Sequence, residues 1–210
     1  MKDRFDGRIL GAGTTSGLRL VIGDWPRSPL GAFTDVMVAL PDGERVLLAP
    51  DEQVAEYVTA TYSFDRVITT PVSVEETRDA EDPVVQSSGE QHWQLDAGPL
   101  QARLGIGART GVGRLLRLVP GPVATSPAFA SAVDPIARHV FPGVRTKGSA
   151  GGGRREYYGA RDKHAVTALS GTWLGEDFGG LNDVDPPPDF GFSSTPARPC
   201  LTRVVTTVVR

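Results

Sequence analysis

Six basic residues and five glycines fall within residues 145–166, RTKGSAGGGRREYYGARDKHAV. Two acids, Glu156 and Asp162, leave this stretch at +4 in a chain whose formal charge is −3. Such local asymmetry says more than the total. Gly148, Gly151, Gly152 and Gly153 free the backbone to turn successive amides inward, which makes a nest for an anion. Arg145, Arg154 and Arg155 flank those glycines and can grip a phosphate or carboxylate through paired hydrogen bonds. If a strand begins at Arg154, then Arg154, Glu156 and Tyr158 share one face, and Arg155, Tyr157 and Gly159 the other. Arg155 beside Tyr157 is then a cation next to an aromatic wall. The same alternation, continued, sets Asp162 and His164 on the face of Arg154 and Tyr158. There Asp162 can orient His164 as an acid–base pair. Lys147, close to Arg145, is the candidate nucleophile toward a carbonyl.

Two further segments bear on a pocket. Trp25-Pro26-Arg27-Ser28-Pro29 is expected in a stiff loop at a sheet end, where a tryptophan either plugs a core or walls a ligand. Phe190-Gly191-Phe192-Ser193-Ser194 is expected to close the same mouth. The expected ligand set is therefore Arg145, Arg154, Arg155, Tyr157, Trp25, Gly151 and Gly152, holding a small, partly apolar anion. The catalytic alternative rests on His164 with Asp162, or on Lys147. A third possibility is a protein-interaction module in which the basic loop docks an acidic partner. The competing explanation for the whole segment is a solvated loop on an exposed strand.

Other motifs fail on spacing or context. Gly11-Ala12-Gly13-Thr14-Thr15-Ser16-Gly17 is one residue too long for a dinucleotide fingerprint, and a strand-like run, LRLVIGD, follows where a helix is required. It is expected to be a hairpin turn. Gly105-Ile106-Gly107 with Gly111 fails on the same spacing. No Walker lysine motif, G-x-S-x-G elbow or H-E-x-x-H is present. His92, His139 and His164 are scattered, and Asp183-Val184-Asp185 lacks the glycine and terminal glutamate of an EF-hand. No metal and no cofactor are expected.

The elements that must position these residues are mostly strands. RILGAG, GLRLVIGD and FTDVMVAL are β-rich with glycine at their joints. Asp42-Gly43 between two apolar runs is a hairpin signal. Asp51 is placed to cap a helix from Glu52 to about Tyr62. RVITTPVSV follows, with Pro71 confining it to an edge or a bend. The acidic stretch 75–91 is expected to be a flexible surface loop or hairpin tip. HWQLDAG and LQARLGIGA are two more strands, the second alternating cleanly. Residues 111–142 are a helical insert: Val112, Leu115, Leu116 and Val119 share a face, and Ser126-Pro127 opens a second helix that Pro135 should kink or split. RREYYGAR, HAVTALSGTWLG and the terminal CLTRVVTTVVR are strands again. The expected fold is α+β in a single domain, 1–210. It has a mainly antiparallel, curled or barrel-like sheet and two to three short helices in the middle of the chain.

Bulk composition narrows the function classes. With 210 residues the chain can bury a core without staples. Cys200 is the single cysteine, so no intrachain disulfide or cysteine-based zinc site is expected. A charge of −3 argues against nucleic acid as a partner. No run of about 18 apolar residues suggests membrane insertion, and MKDRFDGRILGAG lacks a signal-peptide core. The expectation is a soluble cytoplasmic protein. The terminal run 201–209 is expected on a sheet edge, where it could pair with a second copy in a homodimer.

Overall fold

A computed structural model of the chain describes residues 2–78, 91–140, 146–149, 153–191 and 195–209, with backbone alone for 136–140. Strands β1 (Lys2–Thr14), β2 (Arg19–Arg27), β3 (Phe33–Ala39) and β4 (Arg45–Ala49) lead to helix α1 (Glu52–Thr59). Strands β5 (Arg66–Thr69), β6 (Ser73–Arg78), β7 (Gln91–Ala97) and β8 (Leu100–Arg109) follow. Helices α2 (Gly111–Leu116), α3 (Gly121–Ala124) and α4 (Pro127–Val140) come next, and all three contact β10. The remaining strands are β9 (Lys147–Ser149), β10 (Arg155–Trp173), β11 (Glu176–Asp177), β12 (Leu181–Asn182) and β13 (Cys200–Val209).

All thirteen strands belong to one sheet, and ten form the path β5-β4-β3-β2-β1-β13-β10-β8-β7-β6. The sheet is mixed rather than purely antiparallel, because β4 and β5 pair in parallel. Helix α1 causes this. It carries the chain from the end of β4 back toward its start, the crossover a parallel neighbour needs. Asp51 opens the helix by accepting from the Val54 amide at 2.8 Å. Val54, Ala55 and Val58 then bury against Leu47 and Ala49. Helices α2, α3 and α4 are the helical insert expected in the middle of the chain, and with α1 they make four short helices among the described residues.

The path curls strongly. Strands β5 and β6 lie at its two ends, yet only residues 70–72 separate them. Thr69 and Ser73 are therefore at most about 14 Å apart. Nine flat interstrand gaps would set them roughly 43 Å apart. The sheet bends into a half-barrel to close that difference. Pro71, expected to bend or edge a single strand, instead sits in this short link.

Alternation then sorts the side chains. Leu10 and Ala12 of β1, Leu20 and Ile22 of β2, and Val36 and Val38 of β3 face inward. They meet Trp93, Leu95, Leu104 and Ile106 from β7 and β8, so the concave face carries the main core. The hairpin at Asp42-Gly43 forms as expected, with Gly43 at φ 95°. Residues 75–78 lie in β6 and Gln91 opens β7, so the expected 75–91 loop is shorter at both ends, and 79–90 lie outside the described residues. The terminal strand is not an edge. β13 lies between β1 and β10 and bonds to both, which removes the free edge that the homodimer expectation needed at 201–209. No helix among the described residues is long and apolar enough to cross a membrane.

Leu104 is 0% exposed in this core, whereas Leu118 is 78% exposed. Leu104→Ala should cost about 2–5 kcal/mol in urea unfolding. Leu118→Ala should stay within about 0.5 kcal/mol. Equal effects would contradict the packing described.

Candidate functional site: an aromatic cleft on the outer face

The opposite, convex face of the central strands is also apolar. Phe5 and Ile9 of β1, Val21 and Trp25 of β2, and Phe33 and Met37 of β3 alternate with the core residues and point outward. Helix α1 covers part of this face. Between it and the sheet lies a cleft of about 770 Å³, open mouth included. Tyr57, Val58, Thr61 and Tyr62 from the helix segment close one side, and Phe190 and Thr195 also line it. The ring of Tyr57 stands 5.2 Å from Phe5, and Phe5 stands 5.7 Å from Trp25 in an edge-on contact.

Two carboxyl groups line this cleft, Asp35 and Glu156, and among the described residues its walls carry no Lys, Arg or His. Asp35 is buried on β3 and accepts a bond from Trp25 Nε1 at 3.0 Å. Glycine at position 23 makes that bond possible. A Cβ there would stand 2.5 Å from Trp25 Nε1 and 2.6 Å from an Asp35 oxygen. Burial pushes the Asp35 carboxyl up to about 7, against the lowering effect of the Trp25 bond. Glu156, on β10, is buried as well, and the Tyr62 hydroxyl donates to its Oε2 at 2.8 Å. The Tyr62 and Tyr158 hydroxyls are 2.6 Å apart. Burial raises Glu156 to about 7 too, while its tyrosine partners pull the other way. The Tyr62 phenol is raised well above its ordinary value, first by burial and then by Glu156. The hydroxyl of Thr206 is buried in the same wall and has no hydrogen-bond partner among the described residues.

The basic segment divides between two faces. Arg145, Gly151 and Gly152 lie outside the described residues. Arg154 stands beside the cleft: its guanidinium lies 5.2 Å from the Tyr57 ring, and Nη1 donates to Thr61 Oγ1 at 3.3 Å. Trp25 lines the same cleft, from within β2 rather than from a loop. Phe190 lines it too, while 192–194 lie outside the described residues. Arg155 and Tyr157 point the other way. They sit opposite Val209 and Thr207, whereas Glu156 and Tyr158 sit opposite Val208 and Thr206. Lys147 is exposed and pairs with Tyr157, so it shares that second face. The amides of Thr146 and Lys147 already bond to the buried Asp134, at 2.8 and 3.2 Å.

Asp162 and His164 leave the cleft side as well, and the cause is local. A β-bulge between Ala160 and Asp162 shifts the register, so Asp162 pairs with Arg203 and His164 with Leu201. The side chains from Asp162 to Val166 thereby change face, until further register shifts around Val166 return Leu169 to the core. This corrects the expectation that the two share the face of Arg154 and Tyr158. Asp162 accepts from Arg109 Nε at 2.7 and 3.0 Å, and His164 Nε2 is 3.6 Å from its Oδ2. The other ring nitrogen of His164 is 3.1 Å from the Gly107 carbonyl oxygen. Burial raises the Asp162 carboxyl, but the Arg109 bonds outweigh this and hold it below its usual value. Among the described residues no group of three or more His, Cys, Asp or Glu side chains could hold a metal ion.

The sequence does not single out Asp35, Tyr57, Tyr62 or Thr206 as site residues, and it places Glu156 on the face of Arg154 and Tyr158 without giving it a role. Asp35 did leave a signal: it is the one charged residue in FTDVMVAL. Compared with known proteins, the chain matches no protein-family model and no curated relative.

The raised carboxyls give a definite pH dependence. In an unfolded chain such groups titrate near 4. Between pH 4 and 7 the folded protein keeps protons that the unfolded chain releases, so stability falls as pH rises and levels off above about 7. From pH 5 to 8 each group should remove about 2–3 kcal/mol from the unfolding free energy. Asp35→Asn should remove roughly half of the combined decline. Urea titrations at pH 5, 6.5 and 8 measure it, and a profile that is flat or rises with pH contradicts this account.

Proposed function

We propose that this chain is a small-molecule-binding protein that holds a partly apolar, anionic ligand in the outer-face cleft. The observation that carries the reading is Arg154 standing over the Tyr57 ring at the edge of an aromatic cleft. A largely apolar concavity with a few placed polar groups is the usual form of a ligand site. Trp25, Phe5 and Phe33 offer the surface for an apolar body. Arg154 offers the counter-charge, since a guanidinium is always charged and grips carboxylate or phosphate through two bonds. The reading differs from the sequence expectation in place. The curled sheet supplies the wall, but with its convex side.

The catalytic alternative at His164, Asp162 or Lys147 draws less support. Asp162 is committed to Arg109, and the exposed Lys147 lies on the face away from the cleft.

Decanoate, an anion with an apolar tail, is a suitable probe. It should raise the melting temperature of the full chain and bind measurably in calorimetry. Arg154→Ala should weaken that binding roughly ten- to a hundredfold, the value of a charge-assisted bond. Trp25→Ala should weaken it too, through lost apolar contact. Arg155→Ala, on the opposite face, should change it less than about twofold. Binding that responds to Arg155 and not to Arg154 would move the site to the other face.

A further inference from the structure

Four contacts in a row join Arg154 to Asp35. The guanidinium lies 5.2 Å from Tyr57, Tyr57 5.2 Å from Phe5, Phe5 5.7 Å from Trp25, and Trp25 Nε1 3.0 Å from Asp35. The cleft thus has Arg154 beside one end, two residues along the chain from Glu156, and the Asp35 carboxyl at the other, with rings between. Strand register agrees with this layout. Phe5 pairs with Thr206, which pairs with Tyr158, whereas Asp35 pairs with Gly23, which pairs with Ile9. Ile9 is four residues along β1 from Phe5, about 13 Å. The two ends are therefore separate subsites and not one cluster.

Asp35 is out of place as a structural residue. It is 2% exposed, and its hydrogen-bond partners, the Trp25 indole and a main-chain amide, are both neutral. A carboxylate buried without a cation is costly, and elsewhere the chain spends its arginines on exposed or half-buried acids. Aromatic rings beside a carboxylate are, however, the surroundings that a protonated amine prefers, because ring faces and the anion both attract it. Thr206 supplies an independent sign that the cleft is built to be filled: its buried hydroxyl lines the wall with no partner among the described residues.

We propose that the Asp35 end of the cleft binds a protonated amine, so that the ligand carries an ammonium group and an anionic group at opposite ends of an extended apolar body. This rests on the reading of the cleft as a ligand site with Arg154 holding the anion. It narrows the ligand class to long ω-amino acids and molecules of the same charge layout. Compact amino acids, whose two charges share one carbon, cannot reach both subsites.

The test compares three probes of equal chain length on the full protein by calorimetry at pH 7: decanoate, 10-hydroxydecanoate and 10-aminodecanoate. The amine should bind at least tenfold more tightly than the alcohol. Asp35→Asn, which keeps an acceptor for Trp25, should erase that difference. An amine that binds no better than the alcohol overturns the inference without any variant, and so does an advantage that survives Asp35→Asn. If decanoate binds through Arg154 while the amine adds nothing, the amine subsite alone is refuted. If none of the three binds, the ligand-site reading itself falls and takes this one with it.

Discussion

Three residues, 70–72, tie together the two ends of a ten-strand path, and the rest of the architecture follows from that short tether. A flat sheet cannot satisfy it. Once the sheet bends, strands from its two halves face each other across a narrow interior, and large side chains such as Trp93, Leu104 and Ile22 fill the gap. A half-barrel of this kind spends its concave face on stability. The aromatic cleft lies on the convex face, where the strands would otherwise meet water.

The central strands are consequently apolar on both sides, and the second side needs its own cover. Helix α1 provides only part of it. Its Val54, Ala55 and Val58 seat firmly over β4, but its Tyr57 and the following Tyr62 span a gap toward β1, β10 and β13. These tyrosines suit a boundary of this kind, since their rings contribute apolar area while their hydroxyls need partners. Tyr57 finds Asp3 at 3.0 Å, and Tyr62 finds Glu156 and Tyr158. The cleft is what remains where the helix cover ends. Within its walls Trp25 is bonded to Asp35, and Tyr62 to Glu156 and Tyr158, while the buried Thr206 hydroxyl has no partner among the described residues.

What could be read from the sequence was local. Asp42-Gly43 specified its hairpin, Asp51 capped its helix, and the alternation from Arg154 to Gly159 assigned faces correctly, because each depends on neighbours a few residues away. The errors came where pairing partners lie far along the chain. Nothing within RREYYGARDKHAV announces the bulge at Ala160–Asp162, since the extra residue is defined only against β13, some forty residues later. That one insertion moved Asp162 and His164 to the other face. The terminal LTRVVTTVV looked like an edge for the same reason. Its apolar residues fall at both parities, as a central strand requires, but its partners could not be seen. In the site, Trp25 and Arg154 were legible as residue types that could bind a ligand. Their meeting through Tyr57 and Phe5 required the fold.

The treatment of acids across the molecule separates structural from functional demand. The half-buried Asp24 and Asp162 and the exposed Asp65 each have an arginine within 2.6–2.8 Å. The chain has guanidinium groups to spare, and it places them on these acids. Asp35 and Glu156 are more deeply buried, have the greater need of a cation, and have none among the described residues lining the cleft. A sequence shaped for stability alone would hold a leucine or a glutamine at those positions, since an unpaired buried acid is a net cost. A local choice that conflicts with the rest of a consistent fold is most economically explained by a task the fold alone does not require. Asp35 and Glu156 line the same cleft, and an arginine stacks on its rim. On the proposed reading, stability forgone there becomes binding free energy for a molecule that brings the missing charge.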